Sequence, residues 1–333
     1  MKSTPQSPIV TVLALAAALA MGASYYAPLW WVSLTAPNYP TDRFPDGIRI
    51  HFGFDGVSNG CTTAPSTSRV AKETNQDDLG WKSEEGADHK ADAKAEGSAE
   101  SHGALDCVEE MNTINHYVGM RPIEVGGPVE LLLGKFILAI FAVMLVGFAA
   151  GGTRARLPIL GFGFAAVTVW MLVDLFARGS LNAYVTHYQE AAGKYFREAD
   201  RIAAWGTQLT QATTGIAVGL IALMAFMVFG SWKWRGFQLL LGIVPALLPV
   251  FFVSVFAGWL WFFGHHMHPW GAFTLKPFMP TVFGDGKFAQ FTTHSYPHWG
   301  FGLLAATFLF MLVAVARRRL ELASAGEKVE SAP

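Results

Sequence analysis

Five of the chain's ten histidines fall within 34 residues, in His265-His266-Met267-His268 and again at His294 and His298. Imidazole and thioether donors together suit copper, above all Cu(I), better than zinc or magnesium. Pro269 stops a helix beside the first group and Pro297 can start the next, so His265 and His266 would close one apolar helix and His298 open another. If those helices pack together, the histidines converge. Met267 and Met279 then favour copper, and a b-type haem held by one histidine from each helix end is the rival. A single histidine at such a place would be an interfacial polar residue. A second candidate lies in Met111-Asn112-Thr113-Ile114-Asn115-His116-Tyr117-Val118-Gly119-Met120, expected to be non-helical. There His116 and Met120 could serve copper, or Asn115 and His116 could satisfy backbone groups in a packed turn.

Two further pairs carry chemistry of a structural kind. Cys61 and Cys107 are the only cysteines and bracket a polar run, so in an oxidising compartment a disulfide pinching the base of that run is expected. Closing such a loop stabilises by roughly 4 kcal/mol, and the alternative is a pair of thiolate copper ligands. Lys135 and Asp174 stand inside apolar stretches, where either charge alone costs roughly 3 kcal/mol on insertion scales. Antiparallel neighbouring helices would set them at similar depth, so an ion pair is expected, with an ion relay as the functional alternative.

What must position these groups is a set of apolar helices. The chain has 333 residues, 52% hydrophobic and 15% charged, and six stretches reach membrane-spanning length. They are Ile9–Trp31, Val129–Ala150, Leu157–Ala177, Gln211–Gly230, Gly236–Gly264 and His298–Ala316. The first could be a signal peptide, but its apolar run continues through Tyr25, Tyr26, Leu29, Trp30 and Trp31, which favours a retained anchor. Arg154 and Arg156, Lys233 and Arg235, and Arg317, Arg318 and Arg319 fall on one side with Lys2 if the chain alternates through six crossings. The positive-inside rule makes that side the cytoplasm of a bacterial inner membrane, with both termini cytoplasmic and the large loops periplasmic.

The expected fold is an all-α integral membrane protein of about six transmembrane helices with a small, partly β extracytoplasmic cap and a disordered insertion. Residues 1–31 form the N-terminal anchor, and 32–128 a periplasmic segment with the insertion at 62–106. Residues 129–320 form a five-helix bundle with periplasmic loops 178–210 and 265–297, and 321–333 a cytoplasmic tail. Gly47-Ile48-Arg49-Ile50-His51-Phe52-Gly53-Phe54 alternates as a strand does. The insertion, rich in Ala, Glu, Asp, Lys, Gly and Ser, cannot bury enough apolar surface to order itself. The segment holding Tyr184, His187, Tyr188, Lys194, Arg197, Glu198, Asp200 and Arg201 reads as a surface helix at the membrane boundary with a solvated charged face.

The motifs Tyr26-Ala27-Pro28-Leu29-Trp30, Ala36-Pro37-Asn38-Tyr39-Pro40, Gly47-Ile48-Arg49-Ile50 and Asn115-His116-Tyr117-Val118-Gly119-Met120 resemble a family of bacterial membrane proteins associated with nitrous oxide reductase (nos) gene clusters. Pro277-Phe278-Met279-Pro280-Thr281-Val282-Phe283-Gly284 and Ser295-Tyr296-Pro297 are similar as well. The resemblance implies an accessory or assembly factor for a periplasmic copper enzyme, partnered by a periplasmic copper protein or copper chaperone and by membrane lipid. The Cys61–Cys107 insertion and the spans around 211–264 depart from that pattern, so the His265–His268 group has no counterpart to borrow from. A haem-binding electron-transfer subunit is the alternative function.

Other classes are poorly served. A net charge of −1 with no basic stripe gives no footing for nucleic acid. Few intramembrane polar residues and no internal repeat speak against a transporter. No Gly-x-Ser-x-Gly, His-Glu-x-x-His or carboxylate pair stands in a convincing setting for a hydrolase, so an enzymatic role is not expected.

Overall fold

The computed structural model describes residues 6–62, 106–195, 198–269, 271–272, 275–288 and 290–330. The expected disorder of 62–106 therefore falls almost wholly outside the described residues. Nine α-helices are described, α1 Pro8–Ser24, α2 Cys107–Val118, α3 Pro128–Ala149, α4 Thr153–Leu172, α5 Ser180–Tyr195, α6 Ala199–Lys233, α7 Leu240–Ala246, α8 Leu248–His265 and α9 Trp299–Glu330. Five strands join them, β1 Trp30–Thr35, β2 Ile48–Gly53, β3 Gly56–Asn59, β4 Gly284–Phe288 and β5 Phe291–Pro297.

Five helical segments are long and apolar enough to cross a membrane, namely Ile123–Ala149, Thr153–Ala177, Ala199–Lys233, Leu248–His265 and Trp299–Ser324. Much of their apolar surface is uncovered, as at Phe162 (79% exposed), Val169, Val218, Val250 and Leu312, which lipid would satisfy and water would not. The first expected span is shorter than its apolar run. Helix α1 has 17 residues, about 26 Å at 1.5 Å per residue, and the aromatic stretch beyond it is strand β1. Pro28 and the Trp30-Trp31-Val32 run turn the chain from helical to extended, because proline disfavours helix before it and aromatic and β-branched residues suit a pleated surface. The fifth expected span is broken at Leu247 between Pro245 and Pro249, neither of which can donate to a helical ladder. The sixth runs on through Glu330, into the expected tail.

Helix α3 is central and packs on α1, α4, α6 and α7, while α1 lies along α9. Val10, Ala14, Ala17 and Met21 repeat at helical spacing and are all buried, so α1 is an integral wall of the bundle. Gly147 and Gly163 let α3 and α4 approach closely: a Cβ on Gly147 would sit 2.7 Å from Leu160, and one on Gly163 2.7 Å from Val143.

The expected strand at 47–54 is β2, but the sheet is larger than a cap built from one loop. Its order is β3-β2-β1-β5-β4, antiparallel throughout, so the connections after α1 and after α8 share one sheet. The segment 178–210, expected as a loop with a surface helix, is helix α5 and the opening turns of α6, with Tyr184, Tyr188, Ala191 and Ala192 buried. The Tyr184 hydroxyl donates to the Val125 carbonyl at 2.5 Å, tying this connection to the first. All three long connections therefore meet at one end of the bundle. At the other end Arg156 reaches Gln238 at 2.9 Å and the Ser231 carbonyl at 3.4 Å, and Arg318 reaches Glu321 at 2.9 Å.

Candidate functional site

The two faces of the sheet differ in chemistry because side chains alternate along each strand. One face carries Trp30, Ile48 and Ile50. Trp30 packs among Phe252, Phe256 and Phe301, while Ile48 and Ile50 share a core with Met111 and Ile114 of α2. The other face is polar and half-exposed. Cross-strand pairing sets His51, Trp31 and Tyr296 in one row, and Arg49, Ser33, His294 and Asp285 in the next. Arg49 lies 4.6 Å over the Trp31 ring and bonds Asp46 at 3.2 Å.

His298 joins this face from just beyond β5, its ring centroid 5.0 Å from that of His51. Burial, the neighbouring His298 and Arg49 push the His51 imidazole below its usual range, and burial followed by Arg49 does the same to His298. Both shifts favour the neutral imidazole, in which one ring nitrogen keeps a lone pair and the other a proton. The His298 Nδ1 accepts from the Trp299 backbone N–H at 2.9 Å, so the neutral ring carries its proton on Nε2, and a metal held there would replace that proton or the Trp299 contact. His294 takes a different partner: its Nδ1 is 2.7 Å from the Asp285 carboxylate, which also accepts from the Tyr296 hydroxyl at 3.0 Å. Those two hydrogen bonds, His294 first, hold the Asp285 carboxyl below the usual carboxylate range, and the bond to Asp285 raises the Tyr296 hydroxyl.

The group after α8 is arranged otherwise. His265 and His266 turn back along their own helix, Nδ1 at 2.8 Å from the Trp261 carbonyl and 3.0 Å from that of Phe262, each ring stacked on that same aromatic residue. A carbonyl oxygen only accepts, so Nδ1 carries the proton and Nε2 is left as a lone-pair donor, the arrangement that orients many metal-bound imidazoles. His268 Nε2 pairs with Glu198 at 2.9 Å, and its backbone N–H donates to the Gly119 carbonyl at 2.6 Å. Gly119 has φ +80°, and a Cβ there would strike the His268 carbonyl, so glycine is required where the two candidate segments touch.

The expected convergence of His265, His266 and His298 at two helix ends is replaced by another pairing, His298 with His51. Among the described residues no group of three or more His, Cys, Asp or Glu side chains is arranged to hold a metal ion. The stretch containing His116 is helical, contrary to expectation. Asp106 caps α2 by accepting from Val108 and Glu109, and Gly119 ends it in the left-handed conformation. Within it Met111 is buried, as is Met120 just beyond, while His116 and Met267 are partly buried. Cys61 and Cys107 form a disulfide with Cα atoms 6.0 Å apart. Lys135 Nζ is 2.6 Å from Asp174 Oδ2, which also accepts from Ser180 at 3.0 Å.

Sequence reasoning passed over Arg49, His51, Asp285 and Tyr296. The alternation at 47–54 already placed Arg49 and His51 on one face, but nothing local announced that a strand 240 residues later would bring His298 beside them. Gly56–Gly60 spells Gly-x-Ser-x-Gly, yet Ser58 lies on β3 of a hairpin opposite His51 and lacks the strand–turn–helix setting of a nucleophile elbow. An apolar slot of about 110 Å³ lies between this hairpin and α3 and α8, with Glu130 accepting from the Trp259 indole at 2.7 Å.

No family model, curated protein or solved structure matches this chain.

Proposed function

We propose that the protein is a membrane-embedded accessory or assembly factor for a periplasmic copper enzyme, of the nitrous oxide reductase kind. Its sheet end faces the periplasm and holds copper between His51 and His298 for exchange with a copper protein or chaperone. The observation that carries this is the meeting of two imidazoles, one from each of two separate connections, 5.0 Å apart on the polar sheet face. Imidazole is a good ligand for copper, and the exposed setting suits transfer to a partner. His265 and His266, with Nε2 free of the carbonyls that fix their other nitrogen, supply further donors at the same end.

The sidedness rests on charge. Arg154, Arg156, Lys233, Arg235 and Arg317–Arg319 belong to the opposite end, which by the positive-inside rule is cytoplasmic. Gln6 bonds the Ala149 carbonyl and the Ser7 N–H bonds Glu321, contacts that support reading the start of α1 and the late turns of α9 on that same side. The test is metal analysis of the full chain purified in detergent from copper-supplemented cells, beside an absorption spectrum. Stoichiometric copper without a Soret band supports the proposal. Copper at background level sinks the metal-holding role and leaves docking of the copper protein as the function to test by co-purification.

A further inference from the structure

A second cavity, of about 120 Å³, opens where the chain after α2 meets α5, the start of α6 and the end of α8. That is well above the roughly 10–15 Å³ a single water needs. Its lining includes Arg121, Tyr188, Arg201, Trp205, His266 and His268. Arg121 lies flat over the Trp205 ring, 3.7 Å from its centroid, and is within 5.6 Å of Phe262. Its Nη1 is buried and has no hydrogen-bond partner among the described residues.

Among the described residues the charges around it do not balance. Glu198 is the near carboxylate, and it is already engaged by Arg201 at 3.0 Å and His268 at 2.9 Å. Among the described residues Arg121 is left with ring contacts and the weak field of Tyr188. A guanidinium stays charged even when burial lowers its pKa, as it does here, and its forked donors match a phosphate better than they match a ring face. Burying such a cation without a hydrogen-bonded counter-charge is costly, and an oxyanion in the cavity would remove that cost.

We infer that this cavity binds the phosphate group of an anionic phospholipid, with Arg121 as the anchoring cation. The choice of a lipid over a soluble anion follows from position. The cavity sits at the sheet-side ends of α6 and α8, two of the helices long enough to cross a membrane. There Tyr188 and Trp205 line it as aromatic residues do at the headgroup level, with Trp259 and Trp261 on the last turns of α8 nearby in the chain. A guanidinium in a pocket between helices at the headgroup level suits a lipid phosphate in either leaflet, because its forked donors match phosphate oxygens.

The full chain in phosphate-free detergent is titrated with phosphatidylglycerol, with diacylglycerol as the phosphate-free control, and with inorganic phosphate, and binding is read by native mass spectrometry and thermal shift. Phosphatidylglycerol should bind and diacylglycerol should not. Arg121→Gln should weaken binding about tenfold, the scale of one charge-assisted hydrogen bond, while Lys233→Gln at the other end leaves it unchanged. If Arg121→Gln does not fold, Arg201→Gln should weaken binding several-fold. Binding unaltered by either substitution overturns the inference, and so does equal loss with Lys233→Gln. An Arg-dependent shift produced by inorganic phosphate but not by the lipid overturns the lipid assignment in favour of a soluble phosphate. None of these readouts depends on copper.

Discussion

The two ends of the bundle handle buried polar groups in opposite ways. At the end away from the sheet, connections are short and each buried arginine is given acceptors. Arg156 is held by Gln238, Thr153 and the Ser231 carbonyl, and Arg318 by Glu321 and Gln238. At the sheet end, connections are long, and polar groups are left with capacity to spare. Arg121 rests on rings, His265 and His266 commit one nitrogen each to a carbonyl, and His51 faces His298. A cation bonded to several acceptors fixes structure even where one nitrogen stays unmatched among the described residues, as the Nε atom of Arg156 does, whereas one resting on rings is poised for a ligand. That difference is why we place function at the sheet end.

Breaking the comparison begins with what fixes the sheet end in place. The Cys61–Cys107 bond closes a separation of 46 residues. On the loop-entropy estimate, replacing both cysteines by serine costs about 4 kcal/mol. Thermal unfolding of oxidised protein should therefore occur well above that of the double variant, and coincident transitions would show that the bond does not anchor this end. At the opposite end, Glu321→Ala leaves Arg318 buried without its carboxylate and should cost about 3 kcal/mol. A neutral result there would mean that the other partners of Arg318, Gln238 among them, suffice.

A smaller effect separates packing from chemistry within the sheet end. Tyr184→Phe removes the hydrogen bond to the Val125 carbonyl and should cost about 1 kcal/mol at neutral pH. Burial raises the Tyr184 phenol well above its ordinary value of 10.0, so the folded state holds this proton more tightly than the unfolded one. Its contribution is full below pH 10.0 and is lost as pH rises from there toward the folded value. The wild type should thus lose stability in alkali more steeply than Tyr184→Phe. Parallel alkaline curves would contradict the assignment.

The sequence carried the helices well and the site poorly, for physical reasons. Apolar runs register directly as helices, which is why α3, α4, α6, α8 and α9 lie where hydropathy puts them. The failures occur where composition and geometry part. Trp30 and Trp31 are as apolar as the helix before them, and only their pairing with Phe52 and His51 reveals a strand. Glu198 and Arg201 look like a solvated face until His268 and the Arg121–Trp205 stack close over them. His298 was legible as a candidate, but its partner was not, because register between β2, β1 and β5 is a long-range property. The clustering of histidines in sequence was a weaker guide than the alternation that set His51 and Arg49 on one face.

The most direct test of the copper assignment is a Cu(I) competition titration of the full chain in detergent. It compares wild type with the His51→Ala/His298→Ala double variant and with His187→Ala, which alters an exposed histidine on α5. Tight stoichiometric binding in wild type and His187→Ala, lost in the double variant, is the predicted result. Equal binding in all three proteins, or in none, would contradict it.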